Sequence, residues 1–233
     1  MDDRGNNGTD IKWYCASSPT TEHIIPVQKH LFKKYVGVEP TYLFNKGKLG
    51  EWGINIADQL PVSLTIVFGL DDFLPIDYID PLQLKLAVEL TTLNPEIKRT
   101  ELGIGCRNHS PLSNYYTHLR YQETTPYSVS TQFSVWNTTE LYKLLEESTD
   151  AWNFETGRKT KAACLAYPAL RYIEESALSK RKRDKINLAG LCQEDIDELI
   201  DLKLVDPNKI IYGWKGDHKR TKEAYGTKYA AYF

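Results

Sequence analysis

The sequence lacks the cysteine patterns that bind zinc or cross-link small secreted domains. Its four cysteines lie far apart, at positions 15, 106, 164 and 192, and no two of them form a C-x-x-C pair. Such spacing favours neither a zinc site nor a disulfide framework. We therefore expect four reduced thiols in an intracellular protein.

Long apolar runs are also missing. The longest, residues 64–70, is far shorter than the roughly 20 residues that a membrane-spanning helix needs. Residues 1–10 are polar, acidic and rich in Gly and Asn, unlike a secretory signal, and we expect them to be flexible. The pattern predicts a protein with no membrane span.

Several well-known catalytic and nucleotide-binding motifs are absent as well. Gly103 and Gly105 lack the third glycine of a dinucleotide-binding fingerprint, and no P-loop occurs. None of the five histidines has a Ser or Cys partner at the spacing of a catalytic triad motif. The net charge of −2 and the pI of about 6.2 argue against a protein that coats nucleic acid non-specifically.

What the chain does contain is the alternation of an α/β protein. Its 233 residues, 41% hydrophobic and 26% charged, are enough for one large domain or two small ones. Strand-like segments occur at residues 12–16, 40–44 and 63–68, and apolar residues at helical spacing fill the intervals between them. This β-α-β-α-β order predicts a mainly parallel sheet with helices on both faces.

The following segment continues the pattern with less regularity. Asp80-Pro81 is a helix-start signal, and we expect the apolar side of that helix to be Leu82, Leu86, Leu90 and Leu93. Residues 128–135 alternate polar and apolar side chains, which is typical of a half-exposed strand. Asn137–Glu140 has the form of a capping box that opens another helix. We predict a single α/β domain over residues 11–233, with a mixed, mainly parallel central sheet.

Two adjacent aspartates, Asp71 and Asp72, follow the apolar strand directly. In open α/β sheets, ligands bind at the carboxyl ends of the strands. Carboxylates there suit a hard divalent cation that bridges to a diphosphate and stabilises it as a leaving group. Solvated acids in a turn are the alternative, because Asp is common in turns.

A second acidic residue, Glu155, stands in the aromatic stretch Trp152-Asn-Phe-Glu155. An acid that lies beside an apolar wall is suited to work as a general base. A helix cap or a salt-bridge partner, with the Trp and Phe in the core, is the alternative.

Taken in order, these segments resemble a known family. The order is Cys-Ala-Ser-Ser-Pro, Gly-Leu-Asp-Asp-Phe-Leu, Ser-x-Ser-x-Gln-x-x-x-Trp and Trp-Asn-Phe-Glu. It is similar to that of the GT-A-type nucleotide-sugar glycosyltransferases of bacterial surface-polysaccharide clusters and viruses. The resemblance covers residues 11–160 and extends more loosely to Trp214. It implies a Rossmann-like GT-A domain in which residues 11–100 bind the nucleotide sugar and residues 101–233 bind the acceptor.

The resemblance also implies roles for individual residues. Ala16, Ser17 and Ser18 would contact the base and ribose of a UDP-sugar donor. Asp71 would hold the ribose or donor sugar, and Asp72 would be the direct ligand of Mn²⁺ or Mg²⁺, although the Leu-Asp-Asp order departs from the commoner Asp-x-Asp.

Further roles concern the base and the acceptor. Glu155 would deprotonate the acceptor hydroxyl in an inverting transfer. His218 would be a late metal or diphosphate contact, with a surface histidine as the alternative. Trp136 and Trp152 would contact the acceptor.

The acceptor is either a glycan or, in a viral enzyme acting in the host-cell cytoplasm, a hydroxymethylated DNA base. Residues 158–185 carry nine Lys and Arg against three Asp and Glu, and Lys180, Arg181 and Arg183 in this stretch could grip phosphates. A solvated basic loop is the simpler interpretation of the same run. The alternative function is a non-catalytic module that binds nucleic acid or sugar on the same fold.

Overall fold

A computed structural model describes residues 11–47, 50–61, 65–103, 109–111, 119–122, 128–165, 167–174, 185–188 and 190–211. Eight of the described strands form one mixed sheet: β1 (Trp13–Ser17), β2 (Thr41–Phe44), β3 (Thr65–Leu70), β4 (Arg99–Glu101), β5 (His109–Pro111), β6 (Leu119–Gln122), β7 (Ser134–Asn137) and β8 (Ala162–Leu165). Their order across the sheet is β2-β1-β3-β7-β4-β8-β6-β5.

 

Six of these eight strands run in the same direction, and only β7 and β6 are reversed. The expectation of a mixed sheet is therefore confirmed. Of its seven neighbouring strand pairs, three are parallel and four are antiparallel. Two short pairs lie outside this sheet: Phe73–Pro75 pairs with Tyr172–Glu174, and Ile186–Asn187 pairs with Ile210–Ile211.

The described helices lie on both faces of the sheet. They are α1 (Ile25–Tyr35), α2 (Trp52–Ala57), α3 (Pro81–Leu93), α4 (Thr138–Glu146), α5 (Ala151–Gly157) and α6 (Gln193–Asp201), with short 3-10 helices at Glu22–Ile24 and Pro207–Lys209. None of the helices in these ranges is long and apolar enough to cross a membrane.

Two separate hydrophobic clusters result, because successive side chains of a strand point to opposite faces of the sheet. One cluster joins Trp13 and Val67 to helices α1, α3 and α6. The other joins Tyr14 and Phe68 to helices α2, α4 and α5. The central strands are buried on both faces, which explains their nearly continuous apolar sequence.

Local signals start and stop the helices as the sequence predicts. Pro26 lies in the first turn of α1, and Gly37 follows its end with a positive φ of 79°. The side chain of Asp80 caps α3, and that of Asn137 caps α4 by accepting from the amide of Glu140.

Two sequence predictions about packing are wrong. In α3 the buried positions are Leu84, Ala87 and Thr91, whereas Leu82 is 74% exposed. The leucine spacing was misleading because the side of α3 that faces the core carries the small Ala87 and the hydroxyl of Thr91, which bonds to Thr100. The strand expected at residues 128–135 is also displaced: β7 begins at Ser134, and both of its faces are covered.

The four leucines expected on the apolar side of α3 therefore differ in how far they are buried. Leu86 and Leu90 pack partly against the core, and Leu93, like Leu82, is largely exposed.

The expectation that all four cysteines are thiols is also wrong. Cys164, in β8, is disulfide-bonded, while Cys15 and Cys192 are free. Sequence spacing could not reveal the disulfide, because β8 is brought to its neighbours by the fold.

A charged cluster attaches α6 to α1. Asp195 is 1% exposed and accepts hydrogen bonds from the Tyr35 hydroxyl at 2.6 and 2.8 Å and from Lys34 Nζ at 2.8 Å. Lys34 also pairs with Glu198. Burial alone raises the pKa of Asp195, but the hydrogen bonds from Lys34 and Tyr35 outweigh it and lower the pKa.

This cluster makes a prediction about stability. Replacing Asp195 by Asn should lower the free energy of unfolding by about 1–3 kcal/mol at pH 7. Folding lowers the pKa of Asp195. The carboxylate therefore stabilises the fold above about pH 4, and this contribution is lost as the pH falls below that value. The difference between wild type and Asp195→Asn in urea unfolding should therefore shrink towards pH 3. Asp201→Asn, an exposed change on the same helix, is the control, and an equal effect there would contradict the assignment.

Candidate functional site

The carboxyl ends of β1 and β3 meet at one edge of the sheet, because these strands are parallel neighbours. There the backbone amide of Asp71 donates to the carbonyl of Ala16 over 3.1 Å. The hydroxyl of Ser17 donates to the Asp71 carboxylate. The structure thus brings together Ala16, Ser17, Asp71 and Asp72, which the sequence placed in one site.

Both aspartates are buried rather than solvated in a turn: Asp71 is 3% exposed and Asp72 is 2% exposed. Their charge acts on the neighbouring groups. Burial raises the pKa of the Cys15 thiol well above its usual value, and the charges of Asp71 and Asp72 raise it further. Burial, more than any neighbouring charge, likewise raises the pKa of Tyr42. Both groups stay protonated at neutral pH, so neither adds negative charge beside the two carboxylates.

The pair has the donor atoms that a hard divalent cation prefers. Within the described ranges, no group of three or more His, Cys, Asp and Glu side chains gathers into a complete metal cage. Magnesium-type sites commonly use one or two carboxylates and complete the coordination with water and substrate phosphates. Asp71 and Asp72 fit this second kind of site, in which the cation is shared with a diphosphate.

Glu155 lies at the same edge and is linked to β3 through a single residue. Oε1 of Glu155 accepts from the Thr131 amide and hydroxyl, each over 2.7 Å, and from the Ser130 hydroxyl over 3.2 Å. The carbonyl of Thr131 in turn accepts from the amide of Leu70, the residue before Asp71, over 3.1 Å. Thr131 therefore joins Glu155 to the end of the strand that carries the aspartate pair.

The buried side chain of Phe154 sets the orientation of α5. Asp150 caps the helix, and Phe154 is fully buried, with its ring 5.9 Å from that of Trp52 and 6.0 Å from that of Trp136. Fixing Phe154 in the core turns Glu155 towards Ser130 and Thr131. The surroundings of Glu155 are therefore polar hydroxyl and amide groups, and the apolar wall expected from the sequence is wrong.

The two tryptophans of the predicted acceptor surface have different environments. Trp152 is 67% exposed on α5, one helical turn before Glu155. Trp136 is fully buried, and the guanidinium of Arg99 lies 5.7 Å from its ring centre. Trp136 is therefore a core residue that an acceptor does not reach in this structure.

Arg99 supports the segment that holds Glu155. Although fully buried, it donates to the Ser128 carbonyl over 3.1 Å and to the Ser134 hydroxyl over 2.9 Å, and it pairs with Glu101 over 3.2 Å. Burial raises the pKa of Glu101, and the charge of Arg99 partly offsets that effect. The network fixes both ends of residues 128–134, between which Ser130 and Thr131 lie.

Some predicted site residues cannot be placed. Lys180, Arg181, Arg183 and His218 lie outside the described residues. Ser18 is described, and its hydroxyl bonds to Thr20 and Thr21 in the turn after β1.

A cavity of about 330 Å³ lies at the opposite, amino-terminal edge of the sheet. It is lined by Pro95, Glu96, Lys98, Glu140, Lys159, Thr160 and Lys161. Lys98 directly precedes β4 and Lys161 directly precedes β8, which run in the same direction as β3. None of the site residues predicted from the sequence lines this cavity.

Comparison of the chain with protein-family models and with curated proteins finds no match.

The Ser17–Asp71 contact can be tested by removing the hydroxyl. Ser17→Ala should lower the free energy of unfolding by about 1–3 kcal/mol, because a buried carboxylate loses a donor. Ser18→Ala, in a partly exposed turn, should change it by less than about 0.5 kcal/mol. Thermal and urea unfolding of both variants provide the measurement. Equal effects of the two changes would show that Ser17 does not support Asp71.

Proposed function

We propose that the chain is a metal-dependent glycosyltransferase with a GT-A-type domain that transfers a sugar from a UDP-sugar donor to an acceptor hydroxyl. The observation that carries this proposal is the hydrogen-bonded link from Glu155 through Thr131 to Leu70, the residue that precedes the buried pair Asp71 and Asp72. Open α/β sheets bind nucleotides at this kind of edge. The mixed sheet with helices on both faces is compatible with the proposed domain.

In this proposal Asp72 and Asp71 hold Mn²⁺ or Mg²⁺. A bound cation supplies charge neutralisation for the departing diphosphate. In the same proposal, the nucleoside of the donor binds beside Ala16 and Ser17, which bond to Asp71. The hydroxyl of Ser17 keeps Asp71 oriented before the donor enters.

Glu155 is the proposed general base. The hydrogen bonds that the described part of the chain gives to Glu155 all end on Oε1. Oε2 is the oxygen assigned to take the proton of the acceptor hydroxyl. That hydroxyl oxygen attacks the anomeric carbon while the bond to the diphosphate breaks, which gives inversion of configuration.

The acceptor binds on the side of Trp152. Residues three apart share a face of a helix, so the exposed indole of Trp152 and the carboxylate of Glu155 lie on the same side of α5. A sugar ring or a flipped-out base can stack on such an indole. A glycan remains the first acceptor class to screen, with hydroxymethylated DNA as the second.

The first functional prediction concerns donor binding. Calorimetric titration of UDP, UDP-glucose, UDP-GlcNAc, UDP-galactose and GDP-mannose should show binding of a UDP compound that requires Mn²⁺. Asp72→Asn should abolish the metal-dependent part, because a neutral amide is a much weaker ligand for a hard cation than a carboxylate. Metal-independent binding, or unchanged binding by Asp72→Asn, would contradict the proposed site.

The second prediction separates binding from turnover. Glu155→Gln should leave metal-dependent donor affinity within a factor of about two and lower the transfer rate by about 10²–10⁴-fold, the usual contribution of a general base. Glu146→Gln, an exposed change on α4, should leave both unchanged. Wild-type protein that binds the donor but neither hydrolyses nor transfers it would instead be a binding module.

A further inference from the structure

A buried glutamine bonds to the backbone on both sides of the aspartate pair. Gln28, on α1, is fully buried. Its Nε2 donates to the carbonyl of Leu70 over 3.0 Å and to the carbonyl of Phe73 over 2.8 Å. These two carbonyls immediately flank Asp71 and Asp72 in the chain.

Both the nitrogen and the oxygen of the Gln28 side-chain amide form hydrogen bonds. A primary amide nitrogen has two hydrogens, and each of them goes to one flanking carbonyl. The amide oxygen accepts from the hydroxyl of Tyr42 over 2.6 Å, which fixes the orientation of the amide. Tyr42 lies on β2, so three elements of the fold, α1, β2 and the end of β3, are tied together at this point.

Gln28 is a polar residue on the otherwise largely apolar buried side of α1. Gln28 shares the apolar side of α1 with Leu31, Phe32 and Tyr35, where an aliphatic residue would pack more simply. The amide spans the turn from Leu70 to Phe73 and closes it from the inside. The direction of the two intervening carboxylates depends on this turn.

We propose that Gln28 is a positioning residue that sets the geometry of Asp71 and Asp72 for cation and diphosphate binding. The inference rests on the proposed function for its ligand, and on the hydrogen bonds of Gln28 for its mechanism. Residues that orient metal ligands typically change metal affinity by about 10–100-fold when they are replaced.

The test replaces Gln28 by Met, which has a similar length and no hydrogen-bond donor. Gln28→Met should weaken Mn²⁺ binding in the presence of UDP by about 10–100-fold, measured by calorimetry. Hydrogen exchange of the Asp71 amide, which donates to Ala16, should become about ten-fold faster or more as the turn loosens. Wild-type Mn²⁺ affinity in folded Gln28→Met would overturn the proposal.

Gln59, at an exposed position, provides a control. Its Nε2 donates to the carbonyls of Phe44 and Asn55 over 2.9 and 2.6 Å, and its Oε1 accepts from the Phe44 amide over 3.1 Å. Gln59→Met removes the same number of side-chain hydrogen bonds, none of which goes to the carbonyls that flank Asp71 and Asp72. It should leave Mn²⁺ affinity and Asp71 exchange unchanged, and an effect equal to that of Gln28→Met would overturn the positioning role.

A gentler variant covers the case in which Gln28→Met does not fold. Tyr42→Phe keeps the ring and removes only the hydroxyl that orients the amide, and it should weaken Mn²⁺ binding by about two- to ten-fold. Unchanged binding would then count against the proposal.

The proposed function and the positioning role can fail separately. Absence of Mn²⁺ binding by the wild type with UDP present would refute the proposed function. Asp71 exchange then decides the positioning role: faster exchange in Gln28→Met or Tyr42→Phe supports it, and unchanged exchange overturns it.

Discussion

The site depends on the parallel pairing of β1 with β3, which brings the ends of two buried strands together. At that junction the Asp71 amide is bonded to Ala16 and its carboxylate to Ser17. Two carboxylates at 3% and 2% exposure are costly to bury. The surrounding polar groups offset part of that cost, and a bound cation would offset more.

Around this junction, buried polar side chains connect the helices to the edge of the sheet. Thr131 joins Glu155 to β3, Arg99 supports the segment that contains Thr131, and Gln28 closes the turn that contains the aspartates. Networks of this kind stabilise a unique arrangement when every member is bonded. Asp71 and Asp72 lie in the turn after β3, and Glu155 lies on α5, so strands and helices position all three side chains.

Much of the fold and part of the site follow from sequence pattern. The apolar run before Asp71, the proline in the first turn of α1 and the caps at Asp80 and Asn137 are local signals, and the structure confirms the elements they predict. The meeting of Ser17 with Asp71 also follows, since parallel strands end at the same edge.

The wrong sequence predictions and the overlooked residues have a common physical cause. The buried face of α3, the core position of Trp136 and the disulfide of Cys164 depend on which surfaces the fold brings into contact, and no local pattern encodes that. Thr131 and Gln28 were missed for the same reason, since their partners are 24 and 42–45 residues away in the chain. The one available signal for Gln28 was an amide among the apolar residues of α1.

The central claim is that a divalent cation and a nucleoside diphosphate bind together beside Asp71 and Asp72. The most direct test is a crystal grown with MnCl₂ and UDP, measured for the anomalous scattering of manganese. We expect an anomalous peak in contact with the Asp72 carboxylate and with phosphate oxygens of UDP. A peak in the opposite cavity beside Glu96 and Glu140, or no peak in a crystal that contains bound UDP, would contradict it.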